Sequence, residues 1–333
     1  MRNGLKATLA GGAIAAAGIT LHGLLIERVR IQFDRYDLAI RVPGLPPDGL
    51  SILHLSDLHC RAGGLVQDLK TARLTTLLTG ESYDLVALTG DLIDTTHGLP
   101  ALLALVDDLR PRLGMFAIPG NRDYWESSLS AIFREPSPKP GRWRWRGIAA
   151  SVRRLREFGR TVALNRHTRL QVRSNHALAM LEALEIRGVQ PLVNRAVQIR
   201  ADGANFWIAG VDDATHGTPD LGAALAQVPE GAFLLLLAHN PDIWLDRRVQ
   251  RAGLVLAGHT HGGQIYLPFL GAVYMGASHL GRQRPAGWFT RGGGSTRMFV
   301  SRGVGESLPF RLAAQPQVAL IRLVPVQVAE RTV

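Results

Sequence analysis

Short apolar runs recur along the chain, and many of them end in a glycine or in a polar side chain. Their length and their flanking residues are typical of buried strands in a parallel sheet. The runs that predict such strands lie at 50–59, 83–89, 115–118, 206–211, 233–237 and 254–257. Helical spacing at 67–78 and at 99–109 separates the first three runs. This alternation of strand and helix predicts an α/β fold.

Weaker patterns complete the predicted sheets. Alternation at 36–42, ended by Pro43, predicts an edge strand. A helix up to residue 187 and a strand near Val193 follow the middle of the chain. Further apolar runs predict closing strands at 273–275, 296–300 and 318–323.

The strand–helix alternation breaks between residues 125 and 175. Three prolines and the run Trp143-Arg144-Trp145-Arg146 come first, and helical spacing with arginines on its polar side follows at 148–158. We therefore expect a basic helical insertion, a lid, within a single catalytic domain that spans 31–333.

An uncharged run at 7–26 precedes that domain. Its length of about twenty residues suits a helix that spans a bilayer, so residues 1–30 are predicted to form a membrane anchor. A cleaved signal peptide is the alternative, because Ala15-Ala16-Ala17 offers small residues for cleavage. The flanking arginines and lysine favour a single-pass protein of the inner (cytoplasmic) membrane with its catalytic domain on the cytoplasmic face.

Polar residues at the ends of the predicted strands form the candidate site. The carboxyl ends of parallel strands are where open α/β sheets build their sites. The candidate metal ligands are Asp57, His59, Asp91, Asn121, His239, His259 and His261. Oxygen and imidazole ligands without thiolate suit Mn, Fe, Zn or Mg. Seven ligands are too many for one small ion, so we expect two divalent metal ions, as in sites that displace a phosphoryl group.

The net charge of +11 is concentrated in one part of the chain. Residues 134–173 contain twelve Lys and Arg against two Glu, which leaves +10 in this segment. A protein that binds nucleic acid over its whole surface is thereby disfavoured. Three interpretations of the segment are a solvated lid, a surface that binds acidic lipids and a surface that binds nucleic acid. A membrane anchor favours the lipid surface, and no nucleic acid is expected. Within the segment, Arg142, Arg144 and Arg146 are the candidates for phosphate contact.

A single cysteine limits the thiol chemistry of the chain. Cys60 excludes an internal disulfide and a cysteine-rich zinc site. It follows His59 directly, and we interpret it as a small packing residue rather than a ligand.

The polar blocks, taken in order, resemble those of a known family. They are Asp57-x-His59, Gly90-Asp91, Gly120-Asn121-Arg122-Asp123, His239 and Gly258-His259-x-His261, and together they are similar to the calcineurin-like metallophosphoesterases. The tail Ser301-Arg302-Gly303-Val304-Gly305 resembles the membrane-anchored bacterial subgroup.

The resemblance implies a four-layer αββα sandwich and a sorting of the ligands. One metal, most often Mn, would take Asp57, His59 and His261. The other would take Asn121, His239 and His259. Asp91 would bridge them, and a hydroxide between the ions would be the nucleophile.

One position departs from the family pattern. The family usually has a histidine where this chain has Arg122, within the catalytic block of Asn121, Arg122 and Asp123. Arginine cannot act as a general acid, but it can bind phosphoryl oxygens. Asp123 is expected to orient Arg122 or a ligand, whereas Asp94, Asp212 and Asp213 are interpreted as turn or cap residues.

The substitution favours a substrate with a good leaving group. The Gly-Asn-Arg-Asp block and the insertion resemble the UDP-2,3-diacylglucosamine pyrophosphatases of lipid A biosynthesis, which implies release of lipid X and UMP. The alternatives are a broad phosphodiesterase acting on phospholipids and a membrane-recruitment module with a structural metal site.

Overall fold

Two six-stranded sheets form the centre of the computed structural model, which describes residues 2–136, 143–166, 171–276 and 278–326. The first sheet has the strand order β1-β18-β2-β3-β4-β9. The strands β2, β3, β4 and the edge strand β9 run parallel, and β18 joins them antiparallel to β2 and parallel to β1. Its strands are β1 (Gln32–Ile40), β2 (Leu50–Leu55), β3 (Leu85–Thr89), β4 (Gly114–Ile118), β9 (Val189–Pro191) and β18 (Gln317–Pro325).

The second sheet has the strand order β10-β11-β12-β13-β17-β16. Its four central strands are parallel, and the two edge strands are antiparallel to their neighbours. Its strands are β10 (Arg195–Ala201), β11 (Ala204–Gly210), β12 (Leu234–Leu237), β13 (Leu254–Ala257), β16 (Gly287–Arg291) and β17 (Thr296–Val300).

The two sheets pack face to face. Alternate side chains of each strand point to opposite faces, so every central strand contributes to two apolar layers. Ile52, Leu85 and Phe116 of the first sheet share one buried cluster with Phe206 and Leu256 of the second. The remaining faces are buried as well, which explains why the strands are continuously apolar rather than alternating.

Helices cover the outer faces of the sheets. The helices α2, α3 and α6 contribute to the cluster on the outer side of the first sheet. The short helix α7 and 3-10 turns cover the second sheet. The predicted four-layer αββα sandwich is confirmed. The α-helices are α1 (Arg2–Leu21), α2 (Leu65–Leu78), α3 (Leu99–Asp108), α4 (Asn121–Tyr124), α5 (Ile148–Ala163), α6 (Ala177–Ile186) and α7 (Leu221–Leu225).

Some predicted strands are wrong. Residues 273–275 are not a strand, and a small hairpin of β14 (Tyr266–Leu267) and β15 (Gly271–Ala272) precedes them. The edge strands β10 and β16 were not predicted, and the strand expected near Val193 lies earlier, at β9.

The insertion is closed at its base by a strand pair. β5 (Trp125–Ser127) pairs antiparallel with β8 (Gln171–Ser174), close to the predicted limits of 125 and 175. Between them lie the hairpin of β6 (Arg134–Pro136) with β7 (Trp143–Trp145) and the helix α5. The predicted helix is thus confirmed, and it extends beyond residue 158.

A helical segment precedes β1. The helix α1 continues through a π-helical turn, His22–Ile26, and a 3-10 turn, Glu27–Val29. Among the described residues, Gly11–Val29 is the one helical segment long and apolar enough to cross a membrane, with a mean hydropathy of 1.3.

Candidate metal centre

The candidate ligands come from five strands that belong to both sheets. Asp57 and His59 follow β2, Asp91 follows β3, and Asn121 follows β4. His239 follows β12, and the pair His259 and His261 follows β13. Because these strands run parallel within each sheet, their carboxyl ends meet at one edge of the sandwich.

The backbone at these strand ends adopts an unusual conformation. Non-glycine residues with positive φ are uncommon, and they persist where the surrounding structure holds them at a functional site. Five of the seven candidate ligands have positive φ: Asp57 (50°), His59 (47°), Asp91 (50°), His259 (70°) and His261 (51°). This clustering marks the strand ends as the part of the fold shaped by function.

A first group of ligand atoms comprises Asp57, His59, Asp91 and His261. One ligand atom from each residue lies within 4.8 Å of the others, and all four residues are buried. The Nε2 atoms of His59 and His261 are 3.2 Å apart. Asp91 Oδ2 lies 3.5 Å from His59 Nε2. The arrangement can surround one cation.

A second group lies on the other side of Asp91. His239 Nε2 is 3.3 Å from Asn121 Oδ1 and 3.2 Å from His259 Nδ1. The second carboxylate oxygen of Asp91, Oδ1, lies 3.3 Å from the same His239 Nε2. Asp91 therefore presents one oxygen to each group.

The donor set fits two divalent ions. In each group two imidazole nitrogens face each other at a distance where a shared cation would satisfy both lone pairs. Oxygen and imidazole donors without a thiolate match hard or borderline divalent metals, and the donor set does not distinguish among them. Asp57, His59 and His261 would hold one ion, Asn121, His239 and His259 the other, and Asp91 both.

Hydrogen bonds orient three of the imidazoles. His239 Nδ1 is 2.8 Å from the carbonyl oxygen of Thr89, and His259 Nε2 is 2.9 Å from that of Gly276. His59 Nδ1 is 3.4 Å from Asp94 Oδ1. A ring nitrogen that donates to these oxygens leaves the other nitrogen of the same ring free to bind metal, a common arrangement around metal sites.

The charges and the burial of the site favour the protonation states in which most of these side chains bind metal, namely neutral imidazole and ionised carboxylate. Burial and the neighbouring imidazoles lower the pKa of His259 and of His261, which keeps both rings neutral. Burial alone would raise the pKa of Asp91, but His239 and His59 hold it below its usual value. Burial would lower the pKa of His239, but the carboxylates Asp91 and Asp57 raise it to about 9. A bound divalent cation would oppose that protonation.

Asp123 supports the loops that carry two of the candidate ligands, which is one of the two roles expected for it. Its carboxylate accepts N–H bonds from Leu92 (2.8 Å), Ile93 (3.0 Å) and Gly120 (2.8 Å). It therefore fixes the backbone of the two ligand loops rather than the Arg122 guanidinium. Burial and the nearby Asp91 raise its pKa to about 8.

Asp94 takes the place expected for Asp123. Besides contacting His59, its carboxylate lies 3.0 Å from Arg61 Nε and 3.7 Å from Arg122 Nη1. Its place three residues after Asp91 was the only signal for it in the sequence, and a turn residue was the more common interpretation of an aspartate there. Asp212 is a loop residue that accepts from Thr218 N and Tyr124 Oη.

Arg122 lies between the metal groups and the insertion. Its backbone N–H donates to Asp91 Oδ1 at 2.7 Å, and its Nη1 donates to the carbonyl oxygen of Ser127 at 3.0 Å. The guanidinium thus points toward the base of the insertion, and Arg122 lines the cavity next to Asp91, where it can meet a phosphoryl oxygen.

A cavity of about 650 Å³ extends from the two groups of candidate metal ligands toward the insertion. Asp91, Asn121, His259 and His261 line its polar end. Its other described lining residues include Arg122, Leu129, Phe158, Val162, Arg166, Tyr274 and Leu308. An anionic group at the polar end would therefore sit next to an apolar wall.

Two of the three insertion arginines expected to bind phosphate are not brought to this cavity. Within the described part of the chain, Arg144 and Arg146 do not line it, and Arg146 Nε donates to the carbonyl oxygen of Arg134 at 3.1 Å. Arg142 lies outside the described residues. Arg166, which sequence analysis did not single out, is the insertion arginine that lines the cavity.

Comparison with known proteins gives the same assignment as the geometry. Residues 50–263 match the family profile described as calcineurin-like phosphoesterase. The uncharacterized metallophosphoesterase YkuE of Bacillus subtilis is 28% identical over 324 residues, 96% of this chain and 95% of that protein.

Two further relatives match shorter parts. Phosphodiesterase YaeI of Escherichia coli is 32% identical over 151 residues, 45% of this chain and 52% of that protein. A transmembrane protein with metallophosphoesterase domain from Danio rerio is 25% identical over 304 residues, 86% of this chain and 56% of that protein.

Proposed function

The chain belongs to the calcineurin-like phosphoesterase family and is a hydrolase, and from that premise we propose a membrane-anchored phosphohydrolase that uses two divalent metal ions, with Mn as the first candidate. One observation supports the two-metal site above the others: the two carboxylate oxygens of Asp91 face two separate sets of imidazoles. Two ions held there would supply charge neutralisation and an activated water for in-line displacement at phosphorus.

The residues of the chain contribute binding and positioning. Arg122 and Arg166 line the cavity and neutralise the phosphoryl oxygens of the bound substrate. Six of the seven candidate ligands are buried and Asn121 is partly exposed, so these charges act in a medium less polar than bulk water, which strengthens their interactions.

The preferred substrate is a lipid-linked nucleotide pyrophosphate, with UDP-2,3-diacylglucosamine as the specific candidate. Arginine at position 122 provides no general acid, so a leaving group that needs no protonation, such as UMP, is favoured. The apolar wall of Leu129, Phe158 and Val162 offers a surface for an acyl chain.

The test is a turnover assay on the full-length protein in detergent with added Mn. UDP-2,3-diacylglucosamine is compared with bis(p-nitrophenyl) phosphate, and UMP release is followed. We expect UMP release from the wild type and from the control His279→Ala, whose ring is exposed on the surface. Asp91→Ala and His261→Ala should reduce hydrolysis to background. Full activity in either variant would refute the two-metal site.

A phosphodiesterase that acts on phospholipids is the second candidate. It is favoured by the similarity to the relative named phosphodiesterase YaeI. Turnover of the aryl diester and of a phospholipid without UMP release from the nucleotide lipid would select it over the pyrophosphatase.

The proposed location is the cytoplasmic membrane, with the N-terminal helix α1 as a single span and the catalytic domain on the cytoplasmic face. The basic insertion supports an anionic lipid surface as a partner. Its helix α5 carries Arg153, Arg156 and Arg160 on an exposed side, and such helices bind anionic lipid headgroups.

A further inference from the structure

An exposed apolar tip stands out on the surface of the catalytic domain. The turn that joins β14 to β15 consists of Pro268, Phe269 and Leu270. Phe269 is 98% exposed and Leu270 is 70% exposed. A bulky residue with positive φ is an outlier, and Phe269 has a φ of 67°. Nothing in the proposed hydrolysis uses this tip.

The hairpin is connected to the end of the N-terminal helix through one short segment. Leu312 pairs with Ile265 and accepts the N–H of Tyr266 at 2.8 Å. The neighbouring Arg311 donates its N–H to the carbonyl oxygen of Gly23 at 3.0 Å. Ala314, two residues after Leu312, donates its backbone N–H to Glu27 Oε1 at 2.8 Å. Helix end, connecting segment and hairpin are therefore fixed to one another.

The same hairpin is connected to the basic insertion on its other side. Arg282 donates to the carbonyl oxygens of Ala272 (3.1 Å) and of Val273 (2.7 Å). Its second terminal nitrogen donates to the carbonyl oxygen of Ala163, the last residue of α5, at 2.8 Å. The hairpin thus bridges the helix end and the insertion.

The cavity opens within this frame. Leu308 precedes the connecting segment, Tyr274 follows the hairpin, and Val162 belongs to α5, and all three line the cavity. The side chain of Gln264 fixes the rim by donating to the carbonyl oxygens of Leu308 (2.8 Å) and Phe310 (2.9 Å).

We infer that the tip Pro268–Phe269–Leu270 inserts into the bilayer beside the N-terminal helix and sets the mouth of the cavity against the lipid surface. The occupant is lipid because the tip is fixed to a helix with the length and composition of a membrane span. Aromatic and aliphatic side chains next to cations are the side chains that enter the headgroup region. Gln283 donates its side-chain N–H to the carbonyl oxygen of Phe269 at 2.8 Å, and the next residue is the exposed Arg284. This inference rests on the membrane location proposed above.

Depth-dependent quenching tests the inference on the full-length protein. Single cysteines are introduced by Phe269→Cys, Leu21→Cys and Ile186→Cys and labelled with an environment-sensitive fluorophore. The native Cys60 should stay unlabelled, because it is buried and burial raises the pKa of its thiol to about 12. The labelled proteins are reconstituted into vesicles of phosphatidylethanolamine and phosphatidylglycerol with nitroxide-bearing acyl chains.

The three labels distinguish insertion of the hairpin tip from the membrane location on which that inference rests. We expect loss of fluorescence at positions 269 and 21 and none at position 186, which is exposed on α6 beside the far edge strand β9. Quenching at 21 without quenching at 269 would overturn the hairpin insertion alone. No quenching at 21 would overturn the membrane location and the inference together.

A functional readout accompanies the labels. The double variant Phe269→Ser/Leu270→Ser should lose turnover of substrate embedded in these vesicles and keep wild-type turnover of bis(p-nitrophenyl) phosphate. Equal turnover of the embedded substrate by the variant and the wild type would overturn the inference. A wild type that hydrolyses neither substrate would instead refute the proposed enzyme activity.

Discussion

At the scale of single residues, the metal centre depends on the close approach of the Gly258 backbone to Ser56 and Asp57 as well as on the ligands themselves. Gly258 has no side chain where the two sheets meet. A Cβ atom there would lie 1.9 Å from Ser56 Oγ and 2.2 Å from Asp57 Oδ2. These two atoms are hydrogen-bonded to each other at 2.6 Å, so a methyl group at Gly258 would move a ligand directly.

We therefore expect Gly258→Ala to weaken metal-dependent hydrolysis by about 10- to 100-fold, the loss common for residues that position metal ligands. Gly281→Ala is the matched control, because a Cβ atom there has open space around it. Metal titration of turnover with Mn measures both variants. Equal midpoints for Gly258→Ala and the wild type would contradict the steric argument.

His54 shows the cost of a buried imidazole outside the metal centre. Its Nε2 lies 2.8 Å from Thr89 Oγ1, whereas its Nδ1 is buried and has no hydrogen-bond partner among the described residues. Burial lowers the pKa of His54 from 6.5 to about 3. The unfolded chain therefore takes up a proton below pH 6.5 that the folded chain does not, and stability falls as the pH drops from 6.5 toward 3.

At pH 5 this difference amounts to about 2 kcal/mol of unfolding free energy. His54→Gln should reduce the fall in thermal unfolding midpoint between pH 7 and pH 5, and the exposed His279→Gln should not. Other acid-sensitive groups are common to all three proteins, so the comparison isolates His54. Identical pH profiles would show that His54 does not contribute.

The ligand residues could be predicted from sequence, and their supports could not. Asp91 and His261 stand in short blocks at strand ends, where order and spacing carry the information. Asp94 and Asp123 are aspartates in turns, and only the folded loops decide which one meets Arg122 and which one meets backbone N–H groups. The positive φ of five ligands likewise results from tertiary packing rather than from local propensity.

At the scale of elements, the central strands were predictable and the edge strands of the second sheet were not. β12 and β13 are buried on both faces and are continuously apolar. β10 and β16 lie at the edges of the second sheet, are only partly buried and carry polar residues. Their apolar pattern is weak because part of each strand is exposed to solvent. Residues 273–275, which were wrongly predicted to form a strand, are a largely apolar segment whose Tyr274 lines the cavity.

The insertion helix α5 supplies the apolar wall of the cavity. Phe158 and Val162 line it, and Leu155, one turn earlier, is half-exposed and is not among the described lining residues. Burying an acyl chain against one aromatic ring contributes about 1.5–3 kcal/mol. Phe158→Ala should therefore lower kcat/KM for a lipid substrate roughly tenfold or more, and Leu155→Ala should not.

Turnover of bis(p-nitrophenyl) phosphate separates substrate binding from damage to the metal centre. It should stay at the wild-type level in Phe158→Ala, because the aryl diester reaches the polar end of the cavity without the wall. A parallel loss on both substrates would mean that Phe158 supports the fold of the site rather than the lipid.

At the scale of the whole molecule, the N-terminal helix is joined to the catalytic domain by buried charges. Arg28 Nε donates to Glu306 Oε1 at 2.7 Å, and Lys70 of α2 binds the other carboxylate oxygen. Burial would raise the pKa of Glu306, but Lys70 and Arg28 hold it below its usual value. Burial lowers the pKa of Lys70 to about 8. Glu306 stands next to Ser307, which lines the cavity.

This junction decides where the chain can be shortened. A protein that begins at residue 21 keeps Gly23, Glu27 and Arg28 and loses the helix residues before Leu21, of which 11–20 are exposed. A protein that begins at residue 31, the predicted start of the catalytic domain, loses Arg28, one of the cations that bind Glu306, and leaves the buried charge cluster incomplete. Removing one partner of a buried ion pair typically costs about 3–5 kcal/mol.

We expect the protein that begins at residue 21 to keep the thermal unfolding midpoint of the full-length chain in detergent and its turnover of bis(p-nitrophenyl) phosphate. The protein that begins at residue 31 should unfold at a clearly lower temperature, and Arg28→Ala in the full-length chain should reproduce much of that loss. If both shortened proteins matched the full-length chain, the contacts of Arg28 would be dispensable. If both failed equally, the exposed part of the helix would be what stabilises the domain. Loss confined to the shorter protein and to Arg28→Ala places the functional boundary within the helix, so that its last turns belong to the catalytic domain.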